Sequence, residues 1–462
     1  MLPRAMISAR FDALRTSDFV RSVSVLMGGT VFAQALTVAT MPILTRLYAP
    51  ADFNLLAVLA GVIAIVGVVS CLRYDVAIAV PDSDDEAMAL LVLSVSISVA
   101  VGAVSAIPII VAPEAILRLL GQPKLGPWLW MLPVGIALYG TCIALQMWFV
   151  RAKRFGDVAR SRMGQAVGVA AGQIGFGAVG ISPFGLMLGP VANAAVGCAI
   201  LGARLVGAAR ETLARVTGAS LLSAARIHDR YPRFSALEAL CNVASQQLPV
   251  VIIAAVAVGA EGGYVNLAMY AMQAPMAVIG TAISQVYMSR APAEYRAGTL
   301  GNFTGNVIVQ LVRIGVGPLI FLGIVSPSLF GFVFGPGWDR AGELVAWMTP
   351  WLLMQFLVVP VSLALPVTRN QKRALGLQIF GFVARVVTVS AAAFFAPDFM
   401  AETFAISGFV FYAIYLLVVA RTAEIRWQAV KAHLDGALWF PIGWTLFAVM
   451  TALVATYFRI GS

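Results

Sequence analysis

Apolar positions along this chain fall in long runs separated by short polar turns. A helix that crosses a bilayer core needs about 20 predominantly apolar residues. Thirteen segments approach or exceed that length: 22–45, 53–72, 87–111, 127–150, 163–181, 184–203, 236–258, 264–288, 304–325, 342–366, 375–396, 403–420 and 438–458. They predict an all-α polytopic membrane protein, with no room for a large soluble domain between the runs.

The runs repeat in order. APEAILRLLGQ (112–122) and SPSLFGFVFGP (326–336) each hold a proline followed eight residues later by a glycine, Pro113 to Gly121 and Pro327 to Gly335. Each leads into a Trp-bearing span with a proline, Pro133 or Pro350. Each span ends at a basic turn, RAKR (151–154) or RNQKR (369–373). The expected organisation is two six-helix lobes of like orientation: an N-terminal lobe over 1–203 and a C-terminal lobe over 236–420. Between them, 204–235 is an inter-lobe linker, and 421–462 adds a basic segment and one further span. Within the linker, ETLARVTGASLLSAARI mixes polar and apolar faces and reads as a surface helix. A two-lobed repeat suits alternating access, with a site between the repeats.

Charge orients the spans. The chain has 31 Lys and Arg against 21 Asp and Glu, a net charge of +10, yet only 11% of its residues are charged; soluble proteins carry about 25%. Mean hydropathy is +0.90. With the N-terminus in the cytoplasm, cytoplasmic segments collect 24 of the 31 cations. The opposite face holds Arg46, Arg118, Lys124, Arg340 and Arg459, and two remain inside spans, Arg313 and Arg385. This is the positive-inside pattern. It accounts for the net charge without a nucleic-acid partner, and basic faces suit membrane lipids. The basic, amphipathic N-terminus MLPRAMISARFDALR has no cleavable-signal pattern and reads as a cytoplasmic or interfacial lead-in.

Catalytic chemistry finds little support. Cys71, Cys142, Cys198 and Cys241 lie in apolar runs as small core residues, with no CxxC. His228 and His433 are far apart in polar loops, so no metal site is expected. There is no P-loop and no Ser/His/Asp grouping, and outward loops are short. We expect neither an enzyme nor a cofactor.

The informative residues are cations inside the oil. Arg385 has roughly ten apolar residues on each side, so snorkelling explains it poorly. A central Arg costs about 2.5–3.5 kcal/mol on insertion scales and usually faces a bundle interior or a watery cavity. A buried pair or carbonyl contact, or a shifted span, are the other readings. Arg313 sits at the cytoplasmic edge if its window slides to 314–334. No carboxylate lies mid-span: Glu238 is a turn inside the seventh, Glu343 opens the tenth, and Asp75 follows Arg73 just beyond the second. Buried positive charge points to an anionic cargo; with a neutral cargo the arginines would be structural. Gln246, Gln247, Gln273 and Gln285 can donate to and accept from sugar hydroxyls, although interhelical bonding uses the same groups. They cluster in the seventh and eighth spans beside Arg233, Glu238 and Arg290. Span prolines offer bends, and Gly164, Gly168 and Gly172 form a ridge for close packing within a lobe.

Four stretches belong together: LTRLYAPADFN (44–54); RYDVAIAVPDSDDEAMAL (73–90); RYPRFSALEALCNVASQQLPVVIIAAV (230–256) with GGYVNLAMYAMQAPMAVIGTAISQVYMSRAPAEY (262–295); and LFGFVFGPGWDRAGELVAWMTPWLLMQFLVVPVSLAL (329–365). In this order they resemble the polysaccharide (O-antigen and exopolysaccharide) flippases of the MOP superfamily, relatives of MATE transporters. The resemblance implies twelve to fourteen helices in two lobes and no ATPase activity. It implies outward movement of an undecaprenyl-diphosphate-linked oligosaccharide across the bacterial inner membrane, beside other polysaccharide-assembly proteins. The expected diphosphate contacts are Arg385, Arg73, Arg233 and Arg290, with Arg46 and Arg313, and the glutamines would meet the glycan. The alternatives are a cation-coupled multidrug exporter of the same superfamily, which should carry cavity carboxylates, and a glycan polymerase or ligase, which should carry a large outward loop.

Overall fold

A computed structural model describes residues 4–257, 259–425 and 427–460. The side chains of 1–24 and 455–462 lie outside the described set, and so do those of His433 and Pro275. The expected N-terminal lead-in and the outward placement of Arg459 therefore fall beyond it. Every regular element among the described residues is helical. The principal helices are α1 (Arg4–Leu47), α2 (Pro50–Gly67), α3 (Asp84–Val111), α4 (Met131–Arg151), α5 (Phe155–Ala178), α6 (Phe184–Ala214), α7 (Gly218–Ile227) and α8 (Ala236–Val256). There follow α9 (Glu261–Arg296), α10 (Leu300–Phe334, with a π-helical turn at Val312–Val316), α11 (Asp339–Val361), α12 (Gln371–Phe395), α13 (Met400–Thr422), α14 (Trp427–Ala437) and α15 (Trp439–Ile460).

Each expected span falls on one of these helices. Ten of the described helices are long and apolar enough to cross a membrane, which makes this a multi-pass membrane protein. Helices α5 and α9, under the fifth and eighth runs, are long but richer in small and polar residues, and the described apolar part of α15 is shorter, Trp439–Val454. Arg162, counted with the loop 151–162, instead lies two turns inside α5. The segment expected as a linker, 204–235, begins as a continuation of α6 to Ala214 and then forms α7, opened by a reciprocal cap in which Thr217 and Ser220 each bond the other's backbone amide.

Packing divides the chain into two compact units: residues 1–40, 63–113 and 126–240, and residues 41–62, 114–125 and 241–462. In the first unit, α5 meets α6 along the glycine ridge: a Cβ on Gly164 would sit 2.6 Å from Ile200, and one on Gly168 3.2 Å from Val196. Gly172 faces open space. One end of this unit is organised around Asp157, which pairs with Arg154, Arg160 and Arg204. Nearby α3 opens with three carboxylates, each taken by a partner: Asp84 by Arg151, Asp85 by Arg215 and Glu86 by His228.

The second unit takes in the end of α1 and most of α2 because polar contacts tie them there. Arg46 donates to the carbonyls of Phe332 and Val333, closing the free end of α10. Trp338 donates to the Thr45 carbonyl at 3.1 Å and packs edge-on against Phe53. Asn54 donates to the Ala254 carbonyl at 3.0 Å. The chain passes Gly262 and Gly263 so closely that a Cβ there would lie 2.4 Å from Ala254 and from the Pro50 carbonyl. In both sequence repeats a glycine just past a helix end takes positive φ, Gly121 at +62° and Gly335 at +102°, the latter with an extended ψ of 166°.

At one end of the second unit the N-termini of α9, α11 and α13 converge on Arg340. Its guanidinium reaches Glu261 at 2.8 Å, Glu402 at 2.6 Å and Glu343 at 3.1 Å. Carboxylates suit helix N-termini, but three together repel unless a cation sits among them. Removing one member of a buried ionic group strands the others. Arg340→Met is therefore expected to destabilise the purified protein by about 3 kcal/mol. Glu343→Gln, at an exposed rim, should change little. Melting followed by tryptophan fluorescence decides: equal melting temperatures for the two variants would show that the cluster does not hold these ends together.

Candidate functional site

The second unit holds the mid-span cation. Arg385 lies on α12, and its side chain is fully buried. No carboxylate meets it among the described residues. It is caged by three rings, with its guanidinium carbon 4.6 Å from the centre of Phe411, 5.2 Å from Tyr412 and 5.3 Å from Trp351. The rings come from α11 and α13, and Gly381 and Gly408 let the helices close around the cation. A Cβ on Gly381 would lie 2.4 Å from the Phe411 ring, and one on Gly408 2.5 Å from Trp351. One nitrogen, Nη1, donates a long 3.4 Å bond to the Ser245 carbonyl of α8. Nε and Nη2 have no partner in hydrogen-bonding geometry, although the Tyr412 hydroxyl lies close enough to interact with the charge. The carbonyl-contact reading of the sequence thus describes part of the geometry, and the aromatic cage supplies the rest. In this conformation Arg385 touches no open space.

Other unsatisfied groups accompany it. Trp351 Nε1, Gln355 Oε1 and Asn266 Nδ2 are buried without hydrogen bonds. Trp351 touches Arg385, and Gln355 lies one turn along the same face of α11. Buried polar groups are nearly always paired, so the unpartnered Trp351 and Gln355 atoms on the helix that faces Arg385 stand out. Sequence reasoning missed Trp351, Gln355 and Asn266; the i, i+4 spacing of a Trp and a Gln within an apolar span was the available signal. Gln246 and Gln247 directly follow Ser245 on α8 and are half-buried; Gln246 leans on Asn242 at 3.5 Å. Gln273 is half-buried on α9, and Gln285 is exposed nearer its end.

The first unit holds a second polar focus, where α2 ends. Leu72 and Arg73 both adopt left-handed backbone, φ +49° and +63°, which non-glycine residues enter at a cost. Arg73 is loosely paired with Asp75 at 3.6 Å, and its Nε has no partner. Asp75 is 2% exposed, and its Oδ1 is also unpartnered. Burial pushes the Asp75 carboxyl above the ordinary range, against the pull of Arg73. Next to them, the Tyr74 hydroxyl donates to the Ala225 carbonyl and pins the linker helix to this corner.

The remaining candidates are scattered. Arg233 is exposed and paired with Asp229 at 3.0 Å. Arg290 is exposed, pairs with Glu294 at 3.2 Å and lies over the Phe303 ring. Arg313 sits in the π-helical turn with its guanidinium 4.8 Å from the Phe440 ring and no carboxylate partner among the described residues. Glu238 is exposed in the first turn of α8. Arg46 is occupied by three backbone carbonyls. Of the expected set, only Arg385, through its bond to Ser245, meets the Gln246–Gln247 segment.

Comparison with known proteins gives a consistent picture. Residues 43–343 match the family described as polysaccharide biosynthesis protein. No curated protein sequence matches significantly. Among solved structures, the lipid II flippase MurJ in an inward closed conformation is similar over 95% of this chain and 96% of its own, with a TM-score of 0.69 and 11% identity. The eukaryotic MATE transporter AtDTX14 is similar over 91% of this chain and 99% of its own, with a TM-score of 0.58 and 14% identity. A MOP superfamily transporter from Pyrococcus furiosus, whose binding pocket is described as of reverse polarity, is similar over 89% and 96%, with a TM-score of 0.53 and 13% identity. At these identities the likeness is one of fold: the chain has the helical two-lobe architecture of MOP transporters.

Asp75 gives a pH prediction. Its folded-state pKa is raised, so the folded protein holds this proton more tightly than the unfolded chain does. The associated stability is present at acid pH and is lost as pH rises from about 4 through the raised value. Asp75→Asn cannot titrate. Its melting temperature should therefore gain on the wild type by about 2 °C between pH 4 and pH 7. A difference that stays constant over that range would mean that the carboxyl titrates normally.

Proposed function

The chain belongs to the polysaccharide biosynthesis protein family, and on that premise we propose that it is a flippase for a lipid-linked oligosaccharide. The cargo is an undecaprenyl-diphosphate-linked glycan, carried by alternating access from the cytoplasmic to the outer leaflet of the bacterial inner membrane, with the N-terminus in the cytoplasm. The observation that carries this reading is Arg385, a mid-span cation without a carboxylate and with two donors left unbonded. A structural arginine would be expected to use its donors. In our reading this charge draws the diphosphate, and the cage opens when the cargo arrives. Arg73, Arg233 and Arg290, with Arg313, assist on the approach, while Arg46, held by backbone carbonyls on the opposite face, is left to the fold; Gln246, Gln247, Gln273, Gln285 and Glu238 meet the sugar. The lipid II flippase among the structural neighbours supports a lipid cargo.

Energetics favour the direction. Moving negative charge outward along an inside-negative potential gains about 2.3 kcal/mol per charge per 100 mV. Two uncompensated charges would supply roughly 4–5 kcal/mol. The chain needs no nucleotide for this and is proposed to be a carrier, not an enzyme. A cation-coupled drug exporter is less well supported. The buried carboxylates Asp75, Asp157 and Glu402 all lie near helix ends, and two of them are held close by arginines.

The test replaces the chromosomal gene by Arg385→Ala and by Arg385→Lys, checks equal amounts in the membrane, and measures surface glycan and retained lipid-linked glycan. Ala should lower surface glycan about tenfold, a change of about 1.4 kcal/mol. Lys should recover part of it, since it keeps the charge but not the planar stacking. Normal surface glycan with Ala would remove Arg385 from the mechanism. Unchanged glycan with altered drug tolerance on deleting the gene would favour the exporter.

A further inference from the structure

Helices α12 and α13 meet tightly at Gly381 and Phe411 but part toward the end that holds the Gln371 start of α12 and the Thr422 end of α13. There a groove of about 610 Å³ opens between them. Arg373, Arg421 and Thr422 line its mouth, and Leu377, Phe380, Ile414 and Val418 line its walls. From Arg373 to Phe380 is seven residues, or about 10 Å along a helix. The groove thus runs from charge into oil over the depth of a lipid headgroup and the first carbons of its chain.

Its cations have no ion pair among the described residues. Several arginines of the basic segments do have one: Arg151, Arg154, Arg204, Arg215 and Arg233 each meet a carboxylate. Arg373 has only a 3.4 Å bond to the Thr422 hydroxyl. Arg421 has no ion pair among the described residues. The N-terminus of α12 adds partial positive charge at the same place. The apolar flank continues along exposed Ile379, Val383 and Val387 of α12, a surface suited to hydrocarbon. Gly376 leaves the floor open, since a Cβ there would meet nothing within 4 Å.

We propose that this groove binds an anionic phospholipid of the surrounding leaflet, with its phosphate between Arg373 and Arg421 and an acyl chain along Leu377, Phe380, Ile414 and Val418. Charge complementarity selects the anion, and the apolar walls select a lipid over a free phosphate. Basic pockets between spanning helices take anionic headgroups in this way. The bound lipid would fill the space between the helices that carry Arg385 and two of its cage rings, steadying the cage from one side.

The experiment uses the full chain, purified in dodecyl maltoside and stripped of lipid. Native mass spectrometry and melting are followed with phosphatidylglycerol, phosphatidylcholine, undecaprenyl phosphate and inorganic phosphate. Phosphatidylglycerol should bind about tenfold more tightly than phosphatidylcholine and raise the melting temperature. The Arg373→Gln/Arg421→Gln pair, both at exposed positions, should abolish that preference. Gly376→Leu should fill the groove, weaken phosphatidylglycerol about tenfold and leave melting without lipid unchanged. Equal binding of the two phospholipids would overturn the proposal, as would wild-type affinity in both variants. Tighter binding of undecaprenyl phosphate would make the groove a carrier-lipid site instead, and comparable binding of inorganic phosphate would reduce it to a headgroup site; either result overturns the assignment to phospholipid.

Discussion

Hydrocarbon offers no water to a charge, and that constraint shapes the polar residues of the spans. A guanidinium in a span or at the end of one must find protein atoms to replace its hydration or face a watery space. Three solutions occur. Arg46 is satisfied by backbone carbonyls at a helix end. Arg340 is satisfied by three carboxylates where three helices begin. Arg385 is held by the faces of three aromatic rings. The first two complete the backbone and charge requirements of the fold. The third leaves donors unbonded.

Irregular segments at the ends of the spans are held by contacts of the same kind. The break after α2 puts two non-glycine residues into left-handed backbone beside a buried, loosely paired aspartate. Such strain persists only where surrounding contacts hold it, and here Tyr74 ties the break to the linker helix. The glycines at 121 and 335 end helices at matching places of the sequence repeat. The repeat is thus visible in backbone conformation as well as in residue spacing.

The spans, the short helix after α6 and the repeated turns were legible in the sequence because they rest on local pattern: apolar length, an amphipathic face, a glycine after a helix. What Arg385 touches was not. Its rings sit 34 residues before it and 26 and 27 residues after it, and nothing local marks Trp351, Phe411 and Tyr412 as a set. Membership of the compact units was equally hidden. The end of α1 and most of α2 join the second unit through contacts such as Asn54 to Ala254, two hundred residues apart. Arg162 was read into a loop because RAKRFGDVARSR is charged. In the fold its charge is turned toward α1, donating to the Thr30 hydroxyl at 2.6 Å, while the helix continues on small residues.

The cage suggests why an aromatic surround, and not a carboxylate, holds the central cation. An ion pair would lower the cost of burial and also cancel the field that an anion would feel. Ring faces attract a cation through their quadrupoles and carry no net charge, so they lower the cost while leaving the charge in place. They have no acceptor directed at every N–H, which is how Nε and Nη2 come to be unbonded among close-packed atoms. A group built this way is stable enough to sit in a span and still gains from an approaching phosphate, which offers acceptors in the planar, two-pronged geometry that guanidinium favours. The proposed transport reading needs both properties in one residue, and a salt bridge could supply only the first.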